Sequence, residues 1–331
     1  MASTADAAIR AVRIATIPYL SASAQHSLYK NGKVLTRRDE DGTDVPWIGA
    51  DLVARSMPVI DARELAATEQ PSLEVHGFEF HTGRVTDAKL DFIDHEEVVC
   101  GYYPECAALV RVATGARVVA AFDHNVRSVA GKNSKRRIEG GQQVQGPARV
   151  VHGDYTLTSA PQRLRDLTRP PGANDTLRTA LVEGEALLDE AEVETVLAGG
   201  RYAIINVWRN IAEEPVATHP LGLCDATSVA PEDLVVFEIH YSDRIGENYF
   251  SKHAERHKWY FWSALTRDEA VLIKQWDSAG ELARTNGANG DAAKTGLPST
   301  FSFHTAFEDP ATPPDAPDRW SIEVRCVAIY D

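Results

Sequence analysis

The sequence predicts a mainly β protein with helical additions, built on a double-sheet jelly roll. Three observations carry this. From residue 148 onward, short β-branched and aromatic runs alternate with Gly-, Pro- and Asp-rich turns, the pattern of antiparallel sheets. One helical insert, 161–199, interrupts them. No GxGxxG follows a strand, and neither a P-loop nor a GxSxG elbow occurs, which removes the nucleotide-binding and hydrolase alternatives.

Element by element, residues 1–147 form a mixed region of strands and helices packing on a core at 148–330, all within a single domain, 1–331. Ala11 to Leu20 and Leu73 to Phe80 read as strands joined by polar, Asp-rich connections. Glu96 to Thr114 is apolar at helical spacing, and Pro104 is expected to kink or break it. Ala116 to Phe122 reads as a buried strand and 131–146 as a flexible loop. Val150 to Thr158 alternates and is rich in β-branched residues, so it is expected to be a strand. Thr176 to Leu197 predicts a helix that stops at Gly199-Gly200. Tyr202 to Trp208 is the next strand, and others are expected near 234–241, 257–264, 270–276, 300–307 and 319–330. The stretches 278–299 and 308–318 read as loops, the first a candidate lid.

The bulk properties narrow the function. A net charge of −14 argues against nucleic acid and against an anionic membrane surface. No stretch approaches the roughly 18 apolar residues of a spanning helix, and no secretory leader is evident, so a cytoplasmic protein is expected. Cys100, Cys106, Cys224 and Cys326 form no CxxC and read as buried free thiols. A homodimer is the default by base rates alone.

The candidate chemistry lies in four separated residues: His152, Asp154, His304 and Arg319. Two imidazoles and one carboxylate can hold a ferrous ion and leave the opposite face open. The His-x-acid motif is weak by itself. With 11 histidines and 48 acidic residues in 331 positions, chance gives about 1.6 pairs, and there are three. His95/Glu97 and His253/Glu255 lie in helix- or loop-like stretches, where the two side chains diverge. Only His152/Asp154 lies in a strand-like stretch, where i and i+2 share a face, and Gly153 leaves room on the other. His304 is the candidate third ligand, flanked on its face by the small Ser302 and Ala306, with His257 and His240 as rivals. His253 and His257 do not make a zinc-protease HExxH, because Ala254 replaces the glutamate.

Arg319 and Ser321 share a strand face, and a guanidinium plus a hydroxyl suits the distal carboxylate of 2-oxoglutarate. Arg325, on the same face, is the reserve for that role or an ion-pair partner. Asn206, Trp208, Tyr155 and Tyr249 are candidate substrate contacts, with Trp259 and Trp262 behind them. Asn206 stands out as a polar residue in an apolar strand that needs a partner, either 2-oxoglutarate or substrate.

HGDYT (152–156), NVWRN (206–210), PLGLCDATSV (220–229), GENY (246–249), HKWYFW (257–262), DEAVLIKQWDS (268–278), FHTAFEDP (303–310) and RWSIEVR (319–325) form an ordered series. Together they resemble the gibberellin desaturase-like family, which includes the smaller partner of cephamycin 7-methoxylation and fungal hydroxylase/desaturases. That family is similar to iron(II)/2-oxoglutarate-dependent oxygenases with a double-stranded β-helix, cupin-like core. The resemblance implies His152, Asp154 and His304 as Fe(II) ligands and Arg319 with Ser321 as the 2-oxoglutarate clamp. The implied reaction uses O2 to hydroxylate, desaturate or oxidatively cyclise a small metabolite of secondary metabolism, releasing succinate and CO2. Two rival readings are a cupin-like metalloenzyme without 2-oxoglutarate and a non-catalytic jelly-roll binding protein.

Overall fold

The computed structural model describes residues 12–38, 45–139, 141–172, 175–241, 244–292 and 295–331. Ala11, Gly140 in the 131–146 loop, 173–174 in the helical insert and 293–294 in the candidate lid lie outside them. Among the described residues the chain forms fourteen strands in two sheets. The strands are β1 (Val12–Leu20), β2 (Leu35–Arg37), β3 (Leu52–Asp61), β4 (Phe78–Thr82), β5 (Val118–Arg127), β6 (His152–Gly153), β7 (Tyr202–Asn210), β8 (Leu221–Cys224), β9 (Leu234–His240), β10 (Ile245–Ser251), β11 (Trp259–Phe261), β12 (Glu269–Asp277), β13 (His304–Ala306) and β14 (Ser321–Ile329). The larger sheet runs β1-β3-β11-β8-β13-β6-β10-β9-β2, and the smaller runs β4-β12-β7-β14-β5. The N-terminal strands therefore extend both sheets, with β4 pairing with β12 and β5 with β14.

The smaller sheet is polar on one face and apolar on the other, as period-2 alternation requires. On β14, Ser321, Glu323 and Arg325 turn toward the larger sheet, where Arg325 bonds Asp154. Ile322 and Val324 turn the other way, into the core that α1 (Tyr103–Thr114) caps with Tyr103, Cys106 and Val110. Register aligns the polar face in rows: Asp123, Arg325 and Asn206 side by side, then Asn125, Glu323 and Trp208, then Arg127, Ser321 and Asn210. Two bulges interrupt the ladders, one at Gln275 of β12 and one at Phe122 of β5. A bulge re-aims the side chain it carries, and Gln275 is aimed across at β6 and β13.

Several expected elements differ. The strand expected at Leu73–Phe80 begins only at Phe78, because Gly77 turns at φ +87°. Pro104 does not break its helix. A π-helical turn, Val98–Tyr102, precedes α1, Tyr103 N–H donates to the Val98 carbonyl, and the imino nitrogen of proline falls in the first turn of α1. The helix expected over Thr176–Leu197 is two pieces, a 3-10 turn at Thr176–Thr179 and a helix at Glu190–Leu197. Gly184 at φ +87° breaks it, and the Asp189 side chain caps the second piece by accepting from Glu192 N–H. The insert does contain an earlier helix, α2 (Ser159–Asp166); the piece at Glu190–Leu197 is α3.

Val150–Thr158 is strand only at His152–Gly153, since Thr156 and Ser159 turn the chain into α2 by capping bonds. The strand expected at 319–330 starts at Ser321, so Arg319 stands just before it. Strands β2 and β3 lie in a stretch read as connections, and β8 and β10 in stretches to which the sequence assigned no element. The 278–299 stretch holds a short helix, Glu281–Arg284, and Asp291 pins it by accepting from Thr300 and Leu282. Cys106, Cys224 and Cys326 are buried free thiols, whereas Cys100 is exposed.

Gly153 faces no open space. A Cβ there would sit 3.0 Å from two ring carbons of Phe301. Gly153→Val is expected to destabilise the fold by about 1–3 kcal/mol through overpacking, read as a lower denaturation midpoint; an unchanged midpoint would count against this packing.

Candidate metal centre

β6 and β13 are neighbours at the middle of the larger sheet, and His152 pairs directly with His304 across them. Directly opposed residues in an antiparallel pair bring their side chains together. The two imidazole centroids lie 4.2 Å apart. His152 Nδ1 donates to the Val150 carbonyl at 2.8 Å, and the His304 ring is bonded to the Ser302 carbonyl. Such bonds set the tautomer and leave Nε2 as a lone-pair donor. Asp154 follows Gly153 and places Oδ1 3.8 Å from His152 Nε2. The ligand atoms of His152, Asp154 and His304 all lie within 4.8 Å of one another, and no other such group of ligands occurs among the described residues.

The remaining bonds of Asp154 come from the opposite sheet. Oδ2 accepts from Arg325 Nε and from Asn206 Nδ2, each at 3.0 Å. Its backbone N–H donates to Gln275 Oε1 at 2.9 Å. Burial opposes the charge on Asp154, but Arg325, then His304 and His152, outweigh it and hold the carboxyl below its usual range. Burial pushes both histidines down to about 4, so they are neutral near pH 7 and ready to act as ligands. Burial and the nearby Asp154 raise Glu323.

At the other end of β14, Arg319 and Ser321 are buried. Arg319 Nη1 donates to the His219 carbonyl, and its guanidinium lies 5.6 Å over the Trp208 ring. Arg319 Nε and Ser321 Oγ have no hydrogen-bond partner among the described residues. Burial, and after it the neighbouring Arg127, lower Arg319 to about 9. Two guanidiniums beside an unsatisfied hydroxyl favour an anion with a planar carboxylate. The donor set thus fits both a divalent metal and a dicarboxylate.

The structure sorts the other expected residues. Arg325 is not free to clamp a co-substrate. It is an ion-pair partner, bonded to Asp154 and, through Nη1, to Asp123 at 2.9 Å. Asn206 finds its partner in Asp154 rather than in an open cavity. Tyr249 is turned into the core: its hydroxyl donates to the Leu28 carbonyl at 2.8 Å, and its ring stacks on Phe301. Tyr155 is buried, its hydroxyl pushed up to about 12 by burial while Arg163 and Arg325 oppose. Trp259 is structural, donating to Tyr19 at 2.7 Å, and Trp262 stacks on Phe80. The rival ligand His257 is held between Tyr19 and Asp233, and His240 pairs with Glu238. Sequence reasoning missed Gln275, Asp123, Glu323 and Arg127. The first and third carried a signal: a polar residue inside an apolar strand (LIKQW) and a face shared with Ser321 and Arg325.

The domain family described as oxidoreductase/YMDC permease-like matches residues 19–183 and 175–329. No helix among the described residues is long and apolar enough to cross a membrane. The chain is 41% identical over 196 residues to an uncharacterized protein in the dcmA 3' region of Methylophilus leisingeri, covering 59% of this chain and 89% of that protein. It is 31% identical over 262 residues to the Fe(II)/2-oxoglutarate-dependent dioxygenase nvfI of Aspergillus novofumigatus, covering 78% and 77%. The solved structure of the iron and alpha-ketoglutarate-dependent endoperoxidase NvfI superposes with a TM-score of 0.72 at 24% identity, over 97% of this chain and 99% of that one, which shows a common fold.

The buried histidines set a pH dependence. Burial lowers His124, His152 and His304 each from 6.5 to about 4. The unfolded chain then takes up these protons before the folded one does, so stability rises with pH through that window. The metal-free protein is expected to lose stability between about pH 6.5 and about pH 4 in urea titrations, and His124→Gln should flatten the loss. A profile with no fall over that range would refute the neutral-histidine assignment.

Proposed function

This chain belongs to the family of Fe(II)/2-oxoglutarate-dependent dioxygenases, and we propose that His152, Asp154 and His304 are its iron ligands. The observation that carries the proposal is the convergence of these three ligand atoms from two paired central strands. When bound, iron and 2-oxoglutarate supply O2 activation, with oxidative decarboxylation of the co-substrate to succinate and CO2.

The protein's own residues do the positioning. Arg319 Nε and Ser321 Oγ, both buried without partners, take the distal carboxylate of 2-oxoglutarate, and Trp208 supports the guanidinium from below. The paired sheets exclude water from the centre, which is lined by the buried His152 and His304. The two sheets are read as the halves of a double-stranded β-helix, with the whole of 1–331 as one oxygenase unit. The substrate is a small metabolite of secondary metabolism, and the outcome is hydroxylation, desaturation or oxidative cyclisation. The motif series from HGDYT to RWSIEVR supports placing the chain, within the family, beside the gibberellin desaturase-like hydroxylases and desaturases. The net charge of −14 supports an enzyme that engages neither nucleic acid nor an anionic membrane surface, and its proposed location is the cytoplasm.

Anaerobic addition of Fe(II) and 2-oxoglutarate is expected to produce a visible charge-transfer band, and O2 is expected to convert 2-oxoglutarate to succinate. His152→Ala and Asp154→Ala should lower succinate formation at least about 100-fold. Wild-type turnover that survives rigorous iron removal would sink the proposal. Arg319→Gln should raise KM for 2-oxoglutarate by about tenfold or more, consistent with loss of a charge-assisted pair. An unchanged KM would leave the metal site standing and remove the clamp.

A further inference from the structure

The two oxygens of Asp154 are not equivalent. Oδ2 accepts from both Arg325 Nε and Asn206 Nδ2 at 3.0 Å, while Oδ1 faces His152 Nε2 at 3.8 Å. Both donors are rigid. Arg325 and Asn206 are register partners on adjacent strands, so the ladder sets their spacing. Arg325 cannot swing away, because Asp123 holds its Nη1 at 2.9 Å and Asp123 is in turn tied to the Thr176 hydroxyl. Asn206 Oδ1 is buried without a partner. A buried carboxamide that leaves its own oxygen unsatisfied is one whose orientation is set by what its nitrogen binds, and that is Asp154. Gln275, displaced from its ladder by a bulge, fixes the Asp154 backbone from a third side.

We infer that Asn206 and Arg325 are positioning residues that hold Asp154 as a one-oxygen metal ligand, with Oδ2 occupied by their two hydrogen bonds and Oδ1 alone offered to the metal. The inference rests on the iron-site assignment proposed above. A carboxylate free to rotate can bind a metal through both oxygens. Two donors on Oδ2 oppose this, and would leave Oδ1 as the one oxygen that Asp154 offers a metal. The same donors define a carboxylate-sized anion site that persists when the Asp154 side chain is removed.

Co(II) binding, with no co-substrate added, tests this by calorimetry and by the visible d–d spectrum. Asn206→Ala is expected to weaken Co(II) binding by about 10–100-fold, the usual loss when a partner of a metal ligand is removed, and to change the d–d spectrum as the carboxylate gains freedom. The thermal midpoint of the metal-free protein serves as the folding control. Arg325→Gln removes the ion-pair partner of both Asp123 and Asp154 and so perturbs folding as well, so Asn206→Ser is the second variant and is expected to behave as Asn206→Ala does. Millimolar formate is expected to restore Co(II) binding to Asp154→Gly and to fail with the Asp154→Gly/Asn206→Ala double variant. Wild-type affinity and spectrum in folded Asn206→Ala overturn the inference, as does formate that restores nothing in folded Asp154→Gly. Wild-type protein that binds no Co(II) overturns the iron-site assignment itself, a result distinct from variants that bind as well as wild type.

Discussion

A carboxylate buried between two sheets has to be compensated, and the Arg325–Asp154 ion pair does this here. Asp154 is carried by the larger sheet and Arg325 by the smaller, with 3.0 Å between them. Breaking a buried pair by removing one partner costs about 3–5 kcal/mol, because the other charge is left behind. The pair therefore links the two sheets at the level of the candidate metal centre. The neighbouring bonds depend on it: Asp123 and Glu323 are both balanced by the same guanidinium, and Asn206 completes the shell of Asp154.

The smaller sheet can carry so polar a face because its other face is mainly apolar, its buried Arg209 and His124 being bonded to Tyr102 and Tyr103. Ile322, Val324, Cys326 and Ala328 of β14 are completely buried. Apolar burial on that side, at roughly 25 cal/mol per Å², stabilises the sheet enough to accept Asn206, Glu323, Arg325 and Ser321 on the other. Here the polar residues are concentrated on three adjacent strands and meet His152 and His304 from the facing sheet.

Charge is divided along β14. Around Arg325 the cation is surrounded by Asp123, Asp154 and Glu323. Around Arg319, burial and the cation Arg127 outweigh the carboxylates of Asp318 and Glu323. One end of the strand is electrostatically complete and the other is short of an anion. That asymmetry matches the proposed division of work, with the ligand carboxylate held at one end and the co-substrate carboxylate at the other.

The features legible in the sequence were those with local causes. Period-2 alternation in SIEVR put Ser321, Glu323 and Arg325 on one face, and apolar runs marked β7, β9 and β12. The spacing of His152 and Asp154 allowed both side chains to converge, although the strand itself ends at Gly153. Gly184 and Asp189 carried the signals that split the expected helix, and good helix formers around them masked those signals. Interior strands such as β3 and β10 were missed because Arg, Ser and Pro in the one and Gly, Glu and Asn in the other interrupt the apolar alternation; pairing with strands distant in sequence, β11 and β6, secures them in the sheet. What the tertiary structure alone decided was which polar groups satisfy one another. Asn206 and Arg325 looked like ligand contacts because a single chain segment cannot show that Asp154, 52 and 171 residues away, is waiting for them. Local sequence sets the face on which a side chain emerges, but its partner is set by long-range strand pairing, and buried charge makes that choice of partner decisive.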